Sequence, residues 1–172
     1  MLYNRNMINY FQRSEQYPFH ISIGAIVVDK NNNVGCHYFD KHEIPGFGVF
    51  EDFYLLMRET IEPMETIEGC LERGLIEEFG VRATIRHYVG SIVSRFQQTK
   101  GGPTVEKTTL YFLCNLISSD QSKRRLNDPE SGSVIKWLPL NELAKCMKEQ
   151  RARIGREDAD ESSILEKAYG FL

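Results

Sequence analysis

The sequence predicts a mixed α/β fold in which helices cover a mixed β-sheet. Strand-like runs precede and follow one amphipathic helix at residues 66–79, and two further helical segments come at the end of the chain. The run Thr108–Leu116 is nearly continuous in apolar residues, which is typical of a central strand buried on both faces. This order of elements favours one mixed sheet packed between helices.

The first strands are predicted from β-branched and alternating patterns. Ile21–Asp29 is rich in isoleucine and valine and ends at the turn-forming Asn31-Asn32-Asn33. Val34–Phe39 follows as its hairpin partner, and Val49–Met57 leads towards the amphipathic helix. After that helix, Ala83–Phe96 is predicted as one or two strands.

The remaining chain alternates loops with regular elements, because clusters of Gly, Pro, Ser and Asp separate the apolar runs. In order, we predict a loop at Gln97–Val105, a strand at Thr108–Leu116, a polar loop at Ser118–Ser133, a short strand at Val134–Leu138 and helices at Leu140–Gln150 and Asp160–Tyr169.

Length and composition predict one globular domain over residues 1–172, with an N-terminal extension at 1–17. A net charge of −3 gives no reason to expect a nucleic-acid coat. No apolar run approaches the roughly 20 residues of a membrane span, and the N-terminus lacks a signal-peptide core. The four cysteines are widely spaced, which is typical of reduced thiols, so we expect a cytoplasmic protein. The aromatic segment Tyr3–Phe11 could pack on its own domain or form a homodimer.

The amphipathic helix carries a carboxylate on its apolar face. At about 100° per residue, Glu78 falls about 20° from Ile67, within the stripe that faces the core, and Glu77 lies at its edge. Thr66 is the predicted N-cap, and Gly80 suits the left-handed position after the last turn.

A carboxylate on an apolar face costs several kcal/mol unless an arginine, N–H donors or a cation compensates it. Two adjacent carboxylates, Glu77 and Glu78, repel each other, which favours a divalent metal ion. The alternative is a solvated Glu-Glu pair, which is common on helices. Spacing within the helix leaves both interpretations open.

The stretch resembles the signature of the Nudix hydrolases, Gly-x5-Glu-x7-Arg-Glu-U-x-Glu-Glu-x-Gly-U, where U is a bulky aliphatic residue. Residues 59–81 form the signature region here, and the positions that match it are Glu65, Arg73, Leu75, Glu77, Glu78, Gly80 and Val81. The resemblance implies an α/β/α sandwich, and Glu62-Pro63-Met64-Glu65 is similar to the usual entry into the helix.

Two signature positions differ. Glu59 replaces the leading glycine, and Gly74 replaces the glutamate that follows the arginine. We expect Arg58-Glu59 to take a different path or to continue the preceding strand, and we expect a vacant slot at Gly74 where a third carboxylate would lie. That glutamate is a metal ligand or general base in the family, and three nearby carboxylates could replace it: Glu106, Glu72 and Glu62.

The resemblance implies hydrolysis of a nucleoside diphosphate linked to another moiety, by attack of a metal-activated water on phosphorus. It implies Mg²⁺ or Mn²⁺ as cofactor, with Glu77 and Glu78 as ligands. Arg73 is a catalytic-site residue expected to act mainly as a brace that pairs with Glu65, and Gly80 shapes the helix end. The alternative is a catalytically weakened or inactive module that binds a nucleotide or nucleotide sugar.

Substrate-side residues are less well indicated. Lys107 and Arg95 flank a loop that would lie over the site and could hold a diphosphate, although solvated strand-end charges are the simpler interpretation. The same applies to the two basic clusters, Lys123-Arg124-Arg125 and Arg151/Arg153/Arg156. Three aromatic residues could stack on a base but are more typical of core: Tyr88, Phe96 and Tyr111. The four histidines show no ligand spacing.

Overall fold

A computed structural model describes residues 19–44, 46–97, 100–127, 129–156 and 159–172. Its architecture confirms the predicted mixed α/β class: one seven-stranded mixed sheet lies between helices. The predicted N-terminal extension lies outside the described residues, and so does the Tyr3–Phe11 segment that could form a homodimer. None of the helices in the described part of the chain is long and apolar enough to span a bilayer.

Five strands form the main path of the sheet, in the order β3-β2-β1-β6-β5, while β4 pairs with β1 and β7 pairs with β2. The β1–β6 pair is parallel and the other pairs are antiparallel. The strands are β1 (Phe19–Val28), β2 (Asn33–Ile44), β3 (Gly48–Leu55), β4 (Met57–Thr60), β5 (Val81–Gln97), β6 (Thr104–Ser119) and β7 (Val134–Pro139).

Helices pack on both faces of the sheet, as expected for an α/β/α sandwich. The helix α1 (Ile67–Phe79) buries Leu71 and Leu75 against Ile23 on one face. The helices α2 (Leu140–Ile154) and α3 (Ser162–Ala168) cover a second apolar core on the opposite face. The alternation of side chains along β1 supplies both cores, because its odd and even positions point to opposite faces.

The predicted strand Val49–Met57 is wrong in one respect, since it is two strands that meet at Leu56. The β3 strand pairs with β2, whereas β4 pairs with β1. At the junction, the Leu56 amide donates to the buried carboxylate of Glu161 at 2.7 Å. Arg58 and Glu59 therefore lie in a strand of their own, which takes a different path from β3 because it pairs with β1.

Other elements extend beyond their apolar patterns. The β5 strand is single, with bulges, and its ladder with β6 continues to Gln97 opposite Thr104, so the predicted loop is shorter. The predicted Ser118–Ser133 loop contains two short 3₁₀ turns, Gln121–Lys123 and Pro129–Gly132. These extensions rest on backbone pairing and local turns, which apolar patterning does not encode.

Candidate functional site

The ends of α1 are fixed by the predicted cap residues. Thr66 Oγ1 accepts a hydrogen bond from the Gly69 amide at 3.0 Å, which confirms the N-cap. Gly80 adopts a left-handed conformation with φ of 62°, and its carbonyl accepts from the Asp120 amide at 2.7 Å. These contacts set the rotation of α1 and hence the directions of Glu77 and Glu78.

Arg73 is held in a bidentate pair with Glu65. Arg73 Nε lies 2.9 Å from Glu65 Oε1, and Nη2 donates to Glu65 Oε2 and to the Thr60 carbonyl, each at 2.9 Å. The hydrogen bonds from Arg73 hold the pKa of Glu65 below its ordinary value. The guanidinium therefore ties α1 to the segment that follows β4, which is the geometry of a brace.

The remaining Arg73 nitrogen faces two more carboxylates. Nη1 lies 3.1 Å from Glu59 Oε2 and 3.6 Å from Glu77 Oε2. Glu65, Glu59 and Glu77 thus surround a single guanidinium, so negative charge exceeds positive charge at this point. A second positive group is favoured beside them.

The two carboxylate oxygens of Glu77 differ, because one has a close charged partner and the other has no hydrogen-bond donor within the described part of the chain. Oε1 pairs with Arg125 Nη2 at 2.5 Å, and the Arg125 side chain is 59% exposed. Oε2 is buried and accepts no hydrogen bond from the described residues, and its ion-pair contact with Arg73 Nη1 is long, at 3.6 Å. A buried carboxylate oxygen without a donor is costly, and a bound cation would satisfy it.

Glu78 is buried, as its helix phase predicts, with 5% of its side chain exposed. Its Oε2 lies 3.0 Å from His37 Nε2 and 3.4 Å from the Arg58 amide. Burial lowers the pKa of His37 to about 3, so the imidazole is neutral and acts by hydrogen bonding rather than by charge. His37 in turn contacts Ser133 Oγ through Nδ1 at 2.8 Å.

Sequence reasoning missed His37 as a site residue. Its only signal was its place within the apolar strand β2, two residues before the buried Phe39, where a polar side chain needs a partner. The partner is Glu78, 41 positions along the chain, which no local pattern indicates.

The predicted vacant slot at Gly74 is wrong. A Cβ atom at this position would lie 2.6 Å from Glu59 Cβ and 2.9 Å from Met57 Sδ. The side chain of Glu59 therefore occupies the space beside Gly74. Burial, with the negative charge of Glu78, raises the pKa of Glu59 to about 7.

Arg124 joins the end of α1 to the turn before β7. Its Nε donates to the Glu78 carbonyl at 2.6 Å, and its Nη atoms donate to the Ser133 and Glu130 carbonyls at 2.9 and 3.1 Å. Arg124 Nη2 also lies 2.8 Å from Ser133 Oγ. This residue of the predicted basic cluster is therefore committed to the backbone.

The other charged candidates lie apart from α1's inner face or pair with one another. Arg95 pairs with Glu106 at 2.8 Å across β5 and β6, near the outer edge of the sheet. Glu72 is exposed and borders a groove formed with β5. Glu62 is exposed, and its amide donates to Glu65 Oε2 at 2.9 Å.

Two cationic side chains approach the site from the opposite face of the sheet. Lys107 is partly buried, and burial together with nearby Arg58 lowers its pKa to about 7. Arg58 Nε lies 3.6 Å from Glu161 Oε1. Glu161 also accepts a hydrogen bond from the Tyr111 hydroxyl, so this aromatic candidate belongs to the core.

A cavity of about 220 Å³ opens beside Arg58 and Glu130. His42 stacks on Phe53 at 4.6 Å between ring centroids, and Arg156 lies over the ring of Phe96 at 5.3 Å. Phe96 is therefore part of the cavity lining, whereas Tyr88 is exposed and is not part of it.

The donor set fits a hard divalent cation, because it consists of carboxylate oxygens and includes Glu77 Oε2, which accepts no hydrogen bond from the described residues. Across the described ranges, no three His, Cys, Asp or Glu side chains converge into a ready-made metal site. Arg73, Arg125 and His37 neutralise or bond the carboxylates in this geometry. Mg²⁺ tolerates few protein ligands, since it keeps several waters and takes phosphate oxygens.

Comparison with known proteins agrees with the fold. No curated protein matches the chain. The chain is similar to a NUDIX hydrolase from Nitrosomonas europaea at 14% identity, with 88% of each chain covered and a TM-score of 0.59. It is also similar to a MutT protein from Methanosarcina mazei Go1 at 12% identity, covering 73% of this chain and 80% of that one, with a TM-score of 0.50. The family described as NUDIX domain matches residues 18–157, and the chain therefore belongs to the NUDIX domain family.

Proposed function

We propose that this protein is a metal-dependent hydrolase that cleaves a phosphoanhydride bond in a nucleoside diphosphate linked to another moiety. Membership of the NUDIX family supports a Nudix-type hydrolase in general. The observation that carries the finer proposal is the buried Oε2 of Glu77, which accepts no hydrogen bond from the described residues and has only a 3.6 Å ion-pair contact with Arg73, beside a surplus of carboxylates. Mg²⁺ or Mn²⁺ would satisfy it.

In the proposed reaction, the oxygen of a water molecule forms a bond to phosphorus and the bridging P–O bond breaks. One phosphate keeps the new oxygen, the other leaves with the bridging oxygen, and a carboxylate of the site receives the proton of the water. When bound, the cation would supply Lewis acidity and charge neutralisation. Glu77 and Glu78 would hold it, and Arg73 would keep Glu77 and Glu65 in place.

The substrate would lie across the sheet edge between these carboxylates and the aromatic cavity. Arg58 provides positive charge near this path, and Lys107 adds to it when it is protonated. The cavity beside Arg58 would take the planar base, where the half-buried rings of His42 and Phe96 form part of the lining. These placements suit a ligand that is anionic at one end and aromatic at the other.

Hydrolysis is tested by incubating the protein with a panel of nucleoside diphosphate derivatives and Mg²⁺ or Mn²⁺. We expect phosphate-bond cleavage that Glu77→Gln lowers by 10²-fold or more, since it removes a charged ligand from the reacting centre. Glu68→Gln is the matched control, because Glu68 is exposed in the first turn of the same helix. Circular dichroism checks that both variants fold. Equal turnover by Glu77→Gln would contradict the assignment.

A binding module for a nucleotide or nucleotide sugar is the second candidate. It is favoured by the cationic and hydrogen-bonding partners that Glu77 and Glu78 already have, Arg125 and His37. The same panel separates the two functions. Thermal stabilisation by a nucleotide without any product would support the module and exclude catalysis under those conditions.

A further inference from the structure

The two positions that break the signature lie in contact with each other. Gly74 is on the inner face of α1, and Glu59 is on β4, opposite Ile23 of β1. A Cβ atom at position 74 would lie 2.6 Å from Glu59 Cβ and 3.1 Å from Glu59 Cγ. Real Cβ atoms do not approach other atoms so closely, so a side chain at one position excludes one at the other in this packing.

The Glu59 carboxylate lies within the group around Arg73. Its Oε2 is 3.1 Å from Arg73 Nη1, the same nitrogen that lies 3.6 Å from Glu77 Oε2. Its Oε1 accepts from the Thr60 amide at 2.7 Å, which fixes the side chain on the strand. The Glu59 side chain is only 17% exposed. The carboxylate therefore has a defined place beside the Arg73 nitrogen that also faces Glu77 Oε2.

We propose that Glu59 supplies the carboxylate that position 74 lacks, so that a bound cation would draw on Glu59 from β4 as well as on Glu77 and Glu78 from α1. This rests on the proposed function, because it assigns Glu59 to the same cation site as Glu77 and Glu78. The two substitutions are then one exchange, in which the glycine and the glutamate have traded places across the strand–helix contact.

A purely structural role for Glu59 predicts something different. If Glu59 served only as a partner of Arg73, its amide isostere would retain much of the packing and would leave cation affinity unchanged. If it belongs to the cation site, the loss of its charge lowers cation affinity while the fold persists. Cation binding without substrate separates the two roles.

The experiment compares Glu59→Gln, Glu59→Gly, Gly74→Glu and the exchange variant Glu59→Gly/Gly74→Glu. The readout is Mn²⁺ binding to substrate-free protein, by titration calorimetry or electron paramagnetic resonance. We expect Glu59→Gln to weaken Mn²⁺ binding at least about tenfold, since loss of even an outer partner of a metal typically costs that much. Glu51→Gln is the control, because Glu51 is an exposed carboxylate on β3.

The exchange variant gives the sharper result. Gly74→Glu alone should lower the melting temperature, because its Cβ meets Glu59, and Glu59→Gly alone should weaken Mn²⁺ binding. The double variant should recover both properties towards those of the original chain. Mn²⁺ binding by Glu59→Gln as tight as that of the original protein would overturn the inference, even if the double variant failed to fold.

The outcome is separable from that of the proposed function. If no substrate in the panel is cleaved but Glu59→Gln still binds Mn²⁺ more weakly, the hydrolase proposal fails and the assignment of Glu59 stands. If cleavage occurs and Glu59→Gln matches the original protein in both Mn²⁺ affinity and turnover, the assignment of Glu59 fails and the hydrolase proposal stands.

Discussion

The partly buried position of Lys107 lowers the free energy of unfolding whenever its ammonium is charged, and a bound anion would offset this penalty. Its ammonium is partly buried near Arg58, and burial lowers its pKa from 10.5 to about 7. Folding therefore disfavours the charged form of Lys107. The resulting loss in the free energy of unfolding is absent above about pH 10.5, grows as the pH falls, and is complete below about pH 7. An anionic ligand would restore the charge.

We expect Lys107→Met to be more stable than the original protein at pH 7, by a few kcal/mol at most, because it removes this penalty. The gain should shrink as the pH rises towards 10. Urea unfolding at pH 7, 8.5 and 10 measures it. Lys30→Met is the control, since Lys30 is exposed at the turn after β1. A gain that does not change with pH would mean that packing alone, and not charge, explains it.

The burial of a single side chain can be predicted from the sequence only where the periodicity of its own helix or strand determines it. The phase of α1 predicts that Glu78 is buried, and the structure confirms it. The partner of Glu78 was not predictable, because His37 lies on β2 and reaches it only through the packing of α1 on the sheet. Likewise, the sequence predicts empty space beside Gly74, because it does not reveal that β4 places the Glu59 side chain there.

At the scale of elements, the two helix-ending glycines share a conformation but differ in their surroundings. Gly80 and Gly155 follow α1 and α2 with φ of 62° and 69°. A Cβ at Gly80 would lie 2.5 Å from the Asp120 carbonyl oxygen, whereas no described atom lies within 4 Å of one at Gly155. The C-terminal end of α1 therefore packs against the backbone of Asp120, whereas the C-terminal end of α2 has free space around it among the described residues.

Replacing each glycine with alanine separates these effects. Gly155→Ala should cost about 1–2 kcal/mol, the price of a left-handed conformation for an L-residue. Gly80→Ala should cost clearly more, because the backbone of Asp120 must also move. Chemical denaturation of both variants gives the free energies of unfolding. Equal losses would show that the contact with Asp120 relaxes freely.

Most elements were predictable from local patterns, and their boundaries less so. The capping residues Thr66 and Gly80 define α1 within the sequence itself. The break at Leu56 was not predictable, because it depends on the carboxylate of Glu161, more than 100 residues later, binding the Leu56 amide. The alternation of apolar residues is the same whether a segment continues in one strand or switches to a different neighbouring strand, so it does not reveal the break.

On the scale of the whole molecule, the candidate site is assembled from separate parts of the chain. His37 comes from β2, Glu59 from β4 and Glu78 from α1. Arg124, in the segment between β6 and β7, connects these parts through the Glu78 carbonyl and through Ser133, which contacts His37. One guanidinium thus links the helix end to the interior of the sheet.

Arg124→Lys should therefore destabilise the protein by on the order of 2–4 kcal/mol, because a single ammonium cannot reproduce the forked contacts with Glu78, Ser133 and Glu130. Arg86→Lys is the control, since exposed Arg86 donates to the Phe171 carbonyl at 3.1 Å, and its loss should stay within about 0.5 kcal/mol. Thermal and urea unfolding test both. A change as small as that of the control would contradict the linking role.

The placement of Glu59 on a strand has a consequence for motion. Its backbone is hydrogen-bonded into the sheet through β1, whereas Glu77 and Glu78 belong to α1. Any local opening that lifts α1 from the sheet would separate the acidic groups, even if the helix itself stayed intact. A cation bound by carboxylates of both elements would hold α1 against the sheet, and it would slow amide hydrogen exchange in α1 and β4 together.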